Sequence, residues 1–187
     1  MKKILILLLT LALILSVMAS CSTPEDSGND KNESEGSNNS GTDVVIGEDA
    51  LGITENNVKV TPNSEAKTII AALGEPLEYS ESASCGFEDK DRTYKYNGFV
   101  IDTVTIKNVE YIYIVQIVND MVSTPEGVSV GMTLKEIQDA YNGKYEMRDG
   151  HVVVKFTNGL MTCFIKNGVC TNITYESTTI PNLQAEN

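Results

Sequence analysis

The sequence predicts an α+β fold: two tandem helix-plus-antiparallel-sheet repeats, with the helices packed on one face of the sheet. Three observations point there. A helix-period segment followed by strand-like segments occurs twice, at residues 55–122 and again at 123–177. Strand-like segments outnumber helical ones. Each helical segment also carries a single apolar stripe, which must be buried against another layer.

The first helical segment opens with Thr61-Pro62-Asn63-Ser64, where a capping residue is followed by proline at the first helical position. Ala66, Ile69, Ile70 and Leu73 follow at helical spacing, and Gly74 and Pro76 end the run. Residues 77–87 then read as a first strand. Thr93 to Tyr96 and Phe99 to Thr105 flank Asn97-Gly98, the strongest short hairpin signal, and Tyr111 to Val118 supplies a further strand. Closing the hairpin at Asn97-Gly98 sets Tyr96 opposite Phe99 and Tyr94 opposite Ile101, on the face expected to be core. Lys95, Val100 and Asp102 fall on the other face.

The second helical segment opens with Gly131-Met132-Thr133-Leu134-Lys135-Glu136, in which Thr133 and Glu136 have capping-box spacing. Leu134, Ile137 and Tyr141 form its apolar stripe, and Asn142-Gly143 end it. Residues 144–147, His151 to Phe156, Leu160 to Lys166 and Val169 to Tyr175 read as strands. Thr157-Asn158-Gly159 and Asn167-Gly168 form the turns between the last three. About eight antiparallel strands under one helical layer follow from this count.

The amino terminus has a different composition. Lys2 and Lys3 form a positive region, Ile4 to Met18 are uncharged and mostly apolar, and Ala19-Ser20 precede Cys21. Residues 1–20 are therefore expected to be a secretion signal. Val17-Met18-Ala19-Ser20-Cys21 resembles the lipobox of bacterial lipoproteins, and this resemblance implies a diacylglyceryl group on the Cys21 sulfur with cleavage just before it. Two acyl chains, at about 0.8 kcal/mol per buried methylene, hold a protein at a membrane far better than one. Residues 22–43 contain no aliphatic or aromatic side chain, and residues 21–54 as a whole read as a lipidated cysteine on a disordered polar linker. Residues 178–187 read as a tail.

Charge excludes one class of function. The chain has 14 Lys and Arg against 26 Asp and Glu; without Lys2 and Lys3 the balance is 12 to 26, or −14. Nucleic-acid binding depends on cations that neutralise phosphates, so no nucleic acid is expected. With Cys21 assigned to lipid, Cys85, Cys163 and Cys170 remain, and three cannot all pair. Cys163 and Cys170 lie diagonally across a hairpin at roughly 7–8 Å, too far for an unstrained disulfide. Buried thiols are the preferred reading, with a bridge from Cys85 to either as the alternative.

Two fragments, Gly131-Met132-Thr133-Leu134-Lys135-Glu136-Ile137 and Ala72-Leu73-Gly74-Glu75-Pro76, resemble the two ends of the helical element in β-lactamase-inhibitor-protein-like domains and SmpA/OmlA-like envelope lipoproteins. The resemblance covers residues 61–175 in layout but only about a dozen residues in motif. It departs in the missing Gly-Met-Thr of the first copy, in Asn142-Gly143-Lys144 and in the absence of tryptophan. It implies a sheet whose outer face grips another protein. Here that face would hold Lys95, Val100, Asp102, Lys155, Leu160, Thr162 and Phe164.

No residue pattern points to catalysis. His151 is the single histidine and follows Asp149-Gly150, which reads as an exposed turn, and no nucleophile motif accompanies it. Glu88-Asp89-Lys90-Asp91-Arg92 lacks the ligand number and glycine placement of a calcium loop and reads as a charged turn. No metal or cofactor is expected. The chain thus reads as a non-enzymatic, lipid-anchored binding module on the extracytoplasmic side of the cell membrane, with a protein partner that the sequence does not name. An inhibitor of, or accessory to, an envelope enzyme is the alternative. A small-ligand receptor comes third, because a single domain lacks two lobes to clamp a ligand.

Overall fold

The computed structural model describes residues 45–46 and 50–181. The secretion signal, Cys21, the polar tract at 22–43 and the end of the tail lie outside the described residues. Eleven strands and two helices follow in chain order: β1 (Val45–Ile46), β2 (Ile53–Glu55), β3 (Val58–Val60), α1 (Ala66–Leu73), β4 (Glu78–Ala83), β5 (Glu88–Lys95), β6 (Phe99–Ile106), β7 (Val109–Ile117), α2 (Leu134–Tyr141), β8 (Glu146–Arg148), β9 (His151–Phe156), β10 (Gly159–Lys166) and β11 (Val169–Ser177).

Nine of these strands form one sheet in the order β1-β9-β10-β11-β7-β6-β5-β4, with β8 beside β1 on the outer edge of β9; β2 and β3 form a separate hairpin. All pairings in the large sheet are antiparallel except β1 with β9.

This arrangement corrects the expected pair of helix-plus-sheet repeats. The fold is mostly β, and the full helices among the described residues are two eight-residue elements, α1 and α2. β7 and β11 are hydrogen-bonded to each other from Ile117↔Ile173 to Ile114↔Glu176, so the strands merge into one continuous sheet rather than two units. The physical reason is the cost of an open edge. Left apart, β7 and β11 would each present unpaired N–H and C=O groups beside their apolar residues, and pairing removes both edges at once.

Turn chemistry builds the meander. Lys107-Asn108, Asp149-Gly150 and Asn167-Gly168 have positive φ at both positions, the geometry whose twist suits a two-residue hairpin. At Asn97-Gly98, Gly98 has a φ of 99°, and an added Cβ would meet Val122 Cγ2 at 2.9 Å. Register follows the expected parity: Tyr94 lies opposite Ile101, and the Tyr96 N–H donates to the Phe99 carbonyl at 2.9 Å.

Both helices lie over one face of the sheet. A single core cluster joins Ala66, Ile69, Ile70 and Leu73 of α1 and Ile137 and Tyr141 of α2 to inward residues of the sheet such as Phe99, Ile101, Val115, Val154, Met161 and Tyr175. A smaller cluster of Val104, Ile106 and Ile180, with Phe87, Tyr111 and Tyr113 against it, covers one end of the opposite face.

Helix α2 starts as the sequence predicts. Glu136 N–H donates to Thr133 Oγ1 at 3.4 Å, Thr133 N–H donates to Glu136 Oε2 at 2.7 Å, and Asn142 adopts the left-handed conformation at the other end. Helix α1 does not. Residues 62–64 turn instead, with Asn63 at a φ of 73°, and dock on β7: Asn63 N–H donates to the Ile112 carbonyl, Ile112 N–H donates to the Ser64 carbonyl, and extended Glu65 pairs with Tyr111. The stretch of β7 beyond its pairing with β11 needs backbone partners, and this demand overrides the local capping signal.

The ordered fold also extends past its sequence-based limits. Leu51 and Ile53 are core residues, Val45–Ile46 pair with β9, and Ile180 is buried. Glu88 to Arg92, expected to be a turn, lies within β5. There Arg92 bonds Asp89 at 2.7 Å and Thr105 Oγ1 at 3.0 Å, while Lys90 pairs with Glu81 across to β4.

Candidate functional site

The face of the sheet opposite α1 and α2 carries all seven residues expected at a binding surface, and the helical residues at 180–181 pack at one end of it through Ile180. One row across the strands runs Lys95, Val100, Gln116, Thr174, Thr162 and Val153. The next runs Thr93, Asp102, Ile114, Glu176, Leu160 and Lys155. Phe164 lies two residues beyond Thr162 on β10, opposite Asn172. Alternation within each strand thus brings together residues from 93 to 176.

Its polar groups are held in place by one another. Asp102 accepts from Thr93 Oγ1 at 2.7 Å on one oxygen and from Gln116 Nε2 at 2.8 Å on the other. Glu176 accepts from the Tyr113 hydroxyl at 3.0 Å; burial and this hydrogen bond to Glu176 both raise the Tyr113 hydroxyl above the usual tyrosine range. Lys95 reaches Glu78 at 2.9 Å and Lys155 reaches Glu146 at 3.3 Å. Between these pairs Val100, Ile114 and Leu160 are half-buried and Phe164 is exposed. A wide, fixed surface that mixes apolar patches with satisfied polar groups resembles the composition of protein interfaces.

Other candidates fall elsewhere. His151 is half-buried at the start of β9, not in an exposed turn: its Nδ1 accepts the Ile165 N–H at 3.1 Å and its ring lies 5.1 Å from that of Phe164. Nδ1 therefore has a structural role beside a bulge in the β10–β11 pairing. Cys163 and Cys170 are buried free thiols, and Cys85 is an exposed free thiol. Ile165 lies opposite Cys170. The Cys163 thiol is pushed up by its side-chain hydrogen bond with Cys170 and by burial, which leaves it protonated and unreactive. Among the described residues no group of three or more His, Cys, Asp or Glu is placed to hold a metal ion.

Sequence reasoning missed a second feature on the helical side. A cleft of about 580 Å³ lies between α1 and the β6–β7 turn, with Glu110 and Tyr94 on its sheet wall. The Tyr94 hydroxyl donates to Glu110 Oε1 at 3.0 Å, and Thr103 Oγ1 donates to the same oxygen at 2.5 Å. Burial first, then Glu110, raises the Tyr94 hydroxyl well above its ordinary range. The β6–β7 pairing slips between Asp102 and Thr103, and this slip sets where Glu110 falls. No local sequence signal marks such a slip.

No protein family and no curated protein matches the chain. Two solved structures are distantly similar. One is an extracellular protein containing a SCP domain from Bacillus anthracis, 11% identical with a TM-score of 0.49 over 87% of this chain and 53% of that one. The other is the uncharacterized protein yfeY from Escherichia coli, 13% identical with a TM-score of 0.40 over 71% of this chain and 99% of that one. This chain spans about half the length of the first, and neither likeness is strong enough to bear on fold or function.

Proposed function

We propose that this chain is a lipid-anchored, extracytoplasmic binding module that grips another protein of the cell envelope with the face of its sheet opposite α1 and α2 and performs no catalysis. The reading rests on that face: a preformed surface across β5, β6, β7, β11, β10 and β9 on which Val100, Ile114, Leu160 and Phe164 lie among already satisfied polar groups. Rigid presentation lowers the entropic cost of association, so a flat face of this kind suits a protein surface better than a small substrate. The anchor rests on the sequence around Cys21.

Two measurements test the parts separately. A photo-crosslinking residue at Leu160 or Phe164, introduced in cells, is expected to yield a discrete adduct that a residue at Gln138 on α2 does not yield. Equal adducts from both faces, or none from the sheet face, overturn the binding surface. Cys21→Ser is expected to release the protein from membranes and to leave an uncut precursor; a product of normal size that still sediments with membranes overturns the anchor.

A further inference from the structure

We propose that the cleft between α1 and the β6–β7 turn binds a small zwitterion with a short apolar body, an amino acid or short peptide, whose ammonium rests on Glu110 and whose carboxylate faces Lys67. The proposal is independent of the sheet-face reading, because the cleft opens on the helical side.

The sheet wall supplies a fixed anion. Glu110 Oε1 is saturated by the Tyr94 and Thr103 hydroxyls, which orient the carboxylate and leave Oε2 without a hydrogen-bond partner among the described residues. Arg92 lies close enough to sense the Glu110 charge, but its own donors go to Asp89, Thr105 and the Lys90 carbonyl. A held carboxylate with a free oxygen accepts a charge-assisted bond from an ammonium with little reorganisation.

The helical wall carries both signs, with the exposed Glu65 carboxylate at its start and Lys67 after it. Lys67 lines the cleft from the first turn of α1 and makes no hydrogen bond or ion pair among the described residues. Ile70, Ala71 and Val109 form the apolar part of the lining, and Asn108, whose side-chain amide makes no hydrogen bond among the described residues, also borders the cleft. A volume of about 580 Å³ falls within the range of roughly 300–1,000 Å³ typical of small-molecule sites. The chain's net charge of −12 repels a plain anion, so an ammonium group on the ligand favours its approach. One cleft between a helix and a sheet needs no second lobe.

Tri-L-alanine and free L-alanine, titrated into the isotope-labelled protein and followed by amide shifts, test the site and separate peptide from amino acid. Perturbations at Ile70, Ala71, Val109 and Glu110 are expected with one of the two. N-acetylated tri-alanine is expected to bind about tenfold more weakly or worse, as loss of a charge-assisted bond implies. E110Q keeps an acceptor for Tyr94 and is expected to weaken the unmodified peptide to the same degree. K67M is expected to abolish the preference for a free over an amidated carboxyl terminus. Shifts confined to other regions, no shift with either probe, or equal binding of the acetylated peptide overturns the proposal. The acetylation arm uses the unaltered protein, so it stands even if a variant misfolds.

Discussion

The two margins of the sheet are made of similar strands with opposite burial. On one side β9 buries Val152, Val153, Val154 and Phe156; on the other, β4 buries no residue and β5 buries none either. Both strands pair along their inner edges, but β9 is also paired outward by β1 and β8, whereas β4 is the edge strand. The layer above differs too. Ile137 and Tyr141 of α2 seal the face of β9, whereas α1 packs mainly against β3 and β7. The β4 margin relies instead on the Tyr79–Tyr94 ring contact at 5.1 Å and on ion pairs such as Lys95–Glu78. Backbone pairing fixes geometry, and apolar burial fixes stability. The weakly covered margin is also the one that leaves a cleft beside α1.

The sharpest way to break this comparison is to truncate one aromatic on each side. Phe156→Ala is expected to cost about 3–5 kcal/mol, because the ring is buried against Tyr175. Tyr79→Ala, half-exposed on β4, is expected to cost under about 1.5 kcal/mol. Urea midpoints with unchanged slopes measure both, and equal losses would remove the distinction between the margins.

The helices permit a finer test. Thr133→Ala, which removes the cap of α2, is expected to cost about 0.5–2 kcal/mol in the same assay. Glu65→Ala at the start of α1 is expected to change stability much less, because Glu65 makes no side-chain capping bond. A larger loss at Glu65 would show that its exposed side chain has a role the geometry does not reveal.

Acid stability separates the same two ends. The Thr133 backbone N–H, followed by its hydroxyl, holds the Glu136 carboxyl below the usual glutamate range. A depressed folded value means that the unfolded chain binds more protons, so this contribution is fully present above the unfolded value and is lost as pH falls through the folded one. Glu136→Gln is therefore expected to flatten the acid limb of the stability curve slightly. An unchanged limb, or a Glu136 carboxyl that titrates by NMR in the ordinary range, contradicts the cap. Smallest of all, Lys95→Ala at the β4 margin is expected to cost at most about 1 kcal/mol, because its ion pair is exposed.

The parts of the fold legible in the sequence are those with a local cause. Asn97-Gly98, Asp149-Gly150 and Asn167-Gly168 can adopt positive φ cheaply, so they announced their turns, and Thr133 with Glu136 announced a helix start. Strand alternation placed Lys95, Val100, Asp102, Lys155, Leu160, Thr162 and Phe164 on one face. The Thr61-Pro62 signal failed because residues 63–65 were recruited by β7, and the charged run at 88–92 became strand because its cations found partners on β4 and β6.

By itself the sequence determined the turns, the strand alternation, the cap of α2, the acidic balance and the lipobox-like start, because each depends on residues within a few positions of one another. Tertiary structure alone decided that β7 and β11 join in one sheet, that the β6–β7 pairing slips at Asp102 and Thr103, and that Tyr94, Thr103 and Glu110 meet beside α1. Those choices turn on which distant edges and apolar faces leave water together, a property of the whole chain that no short window of it contains.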